Sequence, residues 1–411
     1  MSGSESSRDR YLDLLRSIAL VRVVAYHTFA GAVFSLVFPA MGVMFALAGV
    51  LMARSLRRPA GTVLRSRARR VLVPLWVYAA TVLALLVAQG WSPGDDGSWG
   101  QVLLWFLPVG DPVFPEGAGS GTVDPSWAVQ AGEILWYVRA YFWFMILSPV
   151  LLRAFRARPW PVLLAPLVLS GLLALGVVPL PSWADAPVTD FTTYGSCWIL
   201  GFAHQSGMLR RIPRRVVLVA GPAVMVLGLG WASGHQGEAG WDLNEIPFAQ
   251  ALWSFGFSAV LLRISPAWQE LPRPLRFLDG AVTLLNSRAM TVYLWHNLLL
   301  VGTVLLVDVL WSSDVLATAV PGLLESPWLS FVLVWPLLAA VVLAVGWTED
   351  LAAGRRPRLW PVRPAPASAS VSGQGATGSG LPAGSWLYPR SVRETAPPAA
   401  LSPRSPGEGP G

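Results

Sequence analysis

Lysine is missing from this chain: all 30 of its strongly basic residues are arginine. Cysteine is nearly missing too. One cysteine, Cys197, excludes an internal disulfide, and no Cys/His spacing in the chain suggests a zinc site. Cys197 reads as a small apolar packing residue. Charge is the third scarcity. Only 13% of residues are charged, where soluble domains carry about 25%. With 54% hydrophobic residues and a mean hydropathy of +0.53, this excludes a soluble enzyme held by a single anchor. An uninterrupted apolar stretch is lacking near the N-terminus, where Arg16, Arg22 and His27 break the run, so the start does not match the apolar core of a signal peptide. The formal net charge is +7. The arginines sit between apolar runs, which is the pattern of membrane topology and not of nucleic-acid binding.

The apolar runs themselves predict an all-α fold, a polytopic transmembrane helical bundle of about ten spans. The spans are expected near residues 11–33, 36–53, 71–90, 132–152, 160–180, 191–208, 216–233, 247–262, 289–311 and 328–347. Arginine-rich connections alternate with arginine-poor ones along the whole series. The strongest basic connection holds Arg54, Arg57, Arg58, Arg65, Arg67, Arg69 and Arg70, and the long connection 91–131 holds five carboxylates and no arginine. That alternation predicts a plasma-membrane protein with both termini cytoplasmic. From Leu351 the composition turns to Pro, Gly, Ser, Ala and Arg with little to bury. The expected organisation is therefore a transmembrane domain, residues 1–350, and a disordered cytoplasmic tail, residues 351–411.

The most informative span is Tyr11–Gly31, which carries Asp13, Arg16, Arg22 and His27 among Leu, Val, Ala and Ile. Ionisable groups at that depth cost on the order of 3 kcal/mol each, so they mark a functional site inside a bundle. Arg16 and His27 are 11 positions apart, roughly 1,100° of helix, within about 20° of three whole turns. They share one stripe, roughly 16 Å apart along the axis. Arg22 falls about 140° from His27 and is expected to do a different job. Residues alone thus give a polytopic membrane protein with a buried Arg/His site.

Arg16, ten intervening residues and His27 resemble the first helix of the membrane acyltransferase 3 family. Further likenesses follow in order: MGVMFALAGVLM at Met41–Met52, the basic stretch Arg65 to Pro74, Leu135-Trp136-Tyr137, and Tyr293-Leu294-Trp295-His296. Together they cover nearly all of residues 8–350. Ala48 departs from the pattern, standing where many relatives have Ser.

The resemblance implies transfer of an acyl group, acetyl foremost, from cytoplasmic acyl-CoA to a hydroxyl on an envelope carbohydrate, glycolipid or exported small molecule. Acyl-CoA is a co-substrate in this reading, and no cofactor is held permanently. His27 is then the candidate general base or, alternatively, the acyl carrier. Arg16 is the second candidate catalytic residue, and it would cluster at the inner mouth with some of Arg65, Arg67, Arg69 and Arg70, the candidates to take the CoA phosphates. Glu133, Trp136, Tyr137, Arg139 and His296 are the candidates for the acceptor side. Asn286 and Asn297 are weaker candidates, and His204 and His235 are expected to be incidental. The rival class is a proton-coupled transporter or flippase with His27 and His296 as a relay.

Overall fold

Capping decides where the first helix begins and ends. The Asp9 carboxylate accepts the Tyr11 N–H at 3.0 Å and opens α1, Arg10–Phe29. Ala30, in the left-handed region at φ 44°, closes it. The computed structural model describes residues 9–92, 99–112, 126–238, 240–266 and 268–360. Among them, nine more helices of at least 16 residues follow: α2 Ala40–Ser55, α3 Ala60–Ala88, α4 Leu135–Ala157, α5 Pro159–Ala174, α6 Ser182–Gln205, α7 Arg214–Ser233, α8 Pro247–Arg263, α9 Ala289–Trp311 and α10 Pro327–Val345. Proline occupies the first position of α5, α8 and α10, where its missing N–H costs nothing. Among the described residues there is no strand, only the isolated bridge Gly237–Gly240.

Among the described residues, six helical segments are long and apolar enough to cross a membrane: Val33–Ser55, Ala60–Ala88, Trp127–Ala157, Arg214–Ser233, Ala289–Trp311 and Pro327–Val345. Three of the remaining long helices differ from these for local reasons. α5 and α8 have 16 and 17 residues, and α1 carries Arg10, Asp13, Arg16 and Arg22.

Small residues let the helices close on one another. A Cβ on Gly201 of α6 would lie 2.4 Å from the Ala46 carbonyl oxygen of α2, and one on Gly49 would lie 2.1 Å from the Trp198 carbonyl oxygen. α2 and α6 therefore touch backbone to backbone, the mode favoured where no water drives association. Around this pair Phe45, Tyr137, Phe144, Tyr194 and Trp198 form a continuous aromatic core.

One end of the bundle is tied by buried ion pairs. Arg10 reaches Asp13 at 3.2 Å and also pairs with Asp279. Arg288, fully buried, donates to Asp350 and to the Arg358 carbonyl, both at 2.7 Å. The Arg358 N–H returns to Asp350 at 3.2 Å. The segment expected to be tail thus begins inside the described residues, in the short helix Trp347–Ala352 and the strap that follows it. Residues 361–411 lie outside the described residues.

Two boundary corrections bear on function. Arg65, Arg67, Arg69 and Arg70 are not in a loop before a span starting at residue 71. They stand on the first turns of α3, because nothing between Pro59 and Pro74 breaks the helix. α6 likewise begins at Ser182, so Asp185 and Asp190 are helical. Asp95, Asp96, Glu116 and Asp124 of the expected outer loop lie outside the described residues.

Candidate functional site

α1 is lined by two cavities, one along each half. Asp9, Leu12, Asp13 and Arg16 face the first, of about 610 Å³, and Arg22, Val23, Tyr26 and His27 face the second, of about 300 Å³.

The first cavity is basic. Arg16, Arg54, Arg67, Arg70 and Arg355 line it, against Asp9, Asp13 and Glu349. Asn286 fixes Arg16. Its amide nitrogen lies 2.8 Å from each of the Asp13 carbonyl, Ser17 Oγ and the Val282 carbonyl, which turns its oxygen to accept from Arg16 at 3.3 Å. Arg67 crosses to α2 and α4, donating to the Leu51 carbonyl and Ser55 Oγ at 2.8 Å and to the Tyr141 hydroxyl at 3.2 Å. Glu349 accepts from Thr291 N–H at 2.9 Å and Thr291 Oγ at 2.7 Å. Burial outweighs those bonds and pushes its carboxyl up to about 7. Neighbouring Asp350, beside Arg288, is held below the usual carboxylate range: hydrogen bonding and charge from that guanidinium override the burial that would raise it.

The second cavity mixes aromatic, hydroxyl and acidic groups. Besides the α1 residues it is lined by Glu133, Trp136, Thr189, Asp190, Thr193, Tyr194, Asn244 and Glu245. Trp136 stacks on Tyr194 at 5.7 Å. The Tyr26 hydroxyl donates to Asp242 at 2.6 Å. The His27 ring lies 5.0 Å from that of His296, which is fully buried. His296 engages the Tyr293 carbonyl through Nδ1 and leaves Nε2 without a partner.

Tyr293 lines both cavities and forms the wall between them. Its hydroxyl donates to the Ile134 carbonyl at 2.8 Å, and its ring meets Tyr137 at 4.9 Å.

The structure redistributes the residues expected from the sequence. Arg16 and His27 do not share a cavity; each lines a different one. The helical wheel gave their common azimuth, but the two side chains line separate cavities, with Tyr293 lining both and packed on Tyr137 at 4.9 Å. Arg22, expected to work elsewhere, lines the cavity of His27. Of the basic stretch, Arg67 and Arg70 line the first cavity and Arg65 and Arg69 line neither. Arg65 is exposed, and Arg69 ties the end of the Trp347–Ala352 helix, donating to the Ala352 carbonyl at 3.0 Å and also to that of Leu351. Arg139 lines neither cavity; it is buried between Asp190, at 2.7 Å, and Asp111. Glu133 and Trp136 do face the second cavity, Tyr137 faces the first, and His296 sits behind His27. Sequence reasoning missed Thr193, Tyr194 and Glu245, which carry no local signature.

A family model described as an acyltransferase domain, Acyl_transf_3, matches residues 9–348, which includes every residue lining the second cavity. No curated protein and no solved structure gave a match.

Proposed function

The chain belongs to the acyltransferase 3 family, and from that premise we propose that it transfers an acyl group, acetyl foremost, from cytoplasmic acyl-CoA to a hydroxyl of an envelope carbohydrate, glycolipid or exported small molecule. The observation that carries this reading is the pairing of a basic cavity and an imidazole cavity along one helix, with Tyr293 lining both. Five arginines around about 610 Å³ suit the phosphates of a CoA thioester, which Arg binds through a planar fork. Arg16, Arg67 and Arg70 are the residues proposed to hold it. The acyl arm then extends past Tyr293 toward His27, roughly 16 Å along the axis from Arg16.

In the second cavity the acceptor hydroxyl attacks the thioester carbonyl. Its proton passes to His27 as the C–O bond forms. Collapse of the tetrahedral adduct breaks the C–S bond, and the departing thiolate recovers the proton from His27. The products are an ester and free CoA. His27 can instead accept the acyl group as an acyl-imidazole and release it to the hydroxyl in a second step. Glu133, Trp136 and Tyr194 suit a polyhydroxyl acceptor, with the indole and phenol faces available for stacking.

The basic cavity opens the cytoplasmic side in this proposal, with about ten spans, both termini inside and the plasma membrane as the site of action. A second reading has one observation in its favour: the His27–His296 ring contact suits a proton relay in a transporter. It requires substrate movement driven by pH without acyl-CoA.

The decisive comparison is the parent strain against a His27→Ala strain at matched membrane abundance, by mass spectrometry of surface glycans and glycolipids. The expected result is loss of one acyl mass in the variant. Unchanged acylation in the His27→Ala strain refutes the assignment.

A further inference from the structure

Chemistry at His27 generates a negative charge on the former carbonyl oxygen, and that charge needs a donor in the same cavity. Arg16 cannot supply it, since it lies in the other cavity behind Tyr293. The Tyr26 and Tyr293 hydroxyls are committed, to Asp242 at 2.6 Å and to the Ile134 carbonyl at 2.8 Å. Two lining residues remain with buried polar atoms that have no partner: Arg22 through Nη2 and Thr193 through Oγ1. Arg22 is 9% exposed and Thr193 is 4% exposed. Buried polar groups are ordinarily satisfied, so two orphans around one cavity point to a ligand atom that satisfies both.

Arg22 is held in place for that task. Its Nε donates to the Phe34 carbonyl at 2.9 Å, and its Cζ lies 4.9 Å over the Tyr26 ring. The other side of this arrangement is His27, whose ring meets that of Tyr26 edge-on at 5.4 Å. Guanidinium and imidazole thus flank one tyrosine. A standing anion on the acceptor is the rival ligand for Arg22, and the cavity disfavours it, because Glu133, Asp190 and Glu245 line the same space. A transient oxyanion meets the same carboxylates, but it forms only beside His27 and needs a donor only while the tetrahedral adduct lasts.

We infer that Arg22, assisted by Thr193, is the oxyanion-stabilising group of the acyl transfer proposed above, on which reading this assignment rests. The acceptor oxygen bonds to the thioester carbon and its proton goes to His27. The carbonyl π electrons move onto oxygen, where the Arg22 Nη2–H and the Thr193 hydroxyl donate to it. The electrons return as the C–S bond breaks, and the thiolate takes the proton from His27.

The test uses the full chain in lipid nanodiscs with acetyl-CoA as the probe and water as acceptor, reading released thiol. Arg22→Gln is expected to lower kcat about 10²- to 10³-fold with the KM for acetyl-CoA within about twofold, as for loss of one oxyanion donor. Arg22→Lys should recover part of that loss, and Thr193→Val should lower kcat about tenfold. A wild-type kcat in Arg22→Gln, or a defect confined to KM, overturns the assignment. Should Arg22→Gln fail to fold, Arg22→Lys and Thr193→Val decide it by the same split of kcat from KM. His27→Ala separates the two levels of inference. If it abolishes thiol release while the Arg22 and Thr193 variants match wild type, the acyltransferase reading stands and the oxyanion assignment falls. If wild type and His27→Ala release thiol equally, the reading itself falls and takes this assignment with it.

Discussion

Glu349→Gln should change how acyl-CoA binding responds to pH. Glu349 lines the basic cavity, and its buried carboxyl titrates at about 7. Below that pH it is neutral; above it one further negative charge faces the five lining arginines and repels the ligand phosphates. For a carboxylate and a bound phosphate roughly 8 Å apart, one unit charge repels another by about 0.5 kcal/mol in water and about 2 kcal/mol at an effective dielectric of 20. Taking about 1 kcal/mol gives roughly a fivefold weaker Kd at pH 8 than at pH 6. Titration of acetyl-CoA into the nanodisc protein across that range measures it. The ligand's own phosphate ionisation acts equally on both proteins, so the difference between wild type and Glu349→Gln isolates this carboxyl. The variant should keep the tighter, low-pH affinity throughout. Parallel pH curves for the two proteins would refute the reasoning. Stability carries the same sign. The folded carboxyl binds its proton up to about 7 and the unfolded one only to about 4.5, so its contribution is complete below 4.5 and is lost as pH rises through 7.

Two further predictions concern the frame around the site. Asp350→Asn leaves fully buried Arg288 without its Asp350 partner and should cost about 3–5 kcal/mol, whereas Arg288→Met with Asp350→Asn should recover most of it; denaturant titration of these two variants and of Arg288→Met alone in mixed micelles measures the cycle, and additive single effects would refute the pairing. Gly201→Ala drives a methyl to 2.4 Å from the Ala46 carbonyl oxygen and should lose at least about 1–3 kcal/mol of stability, while Gly61→Ala, with open space around it on α3, should be neutral or gain up to about 1 kcal/mol. Thermal melts of the two alanine variants in detergent check the contrast, and equal melting temperatures would refute it.

The helices were legible one at a time because their causes are local. The expected spans 247–262 and 289–311 match α8 and α9 to within a residue, set by Pro247 at one start and by Arg288 before the other. The errors came where a basic residue was read as loop. Arginine favours helix, and its charge says only that a turn lies near the membrane surface, so Arg65 to Arg70 became the first turns of α3.

The sequence by itself settled that this is a helical membrane protein and that Arg16 and His27 share an azimuth on its first helix. Apolar length and 3.6-residue periodicity are properties of one segment and need no partner. Tertiary packing decided the rest. It set His296 against His27 from 269 positions away, built a tyrosine wall between Arg16 and His27, and brought Arg22 into the imidazole cavity. A helical wheel tells where a side chain leaves its own axis. Which space that side chain enters depends on where neighbouring helices close, and Gly49 and Gly201 let them close only once the whole bundle is assembled.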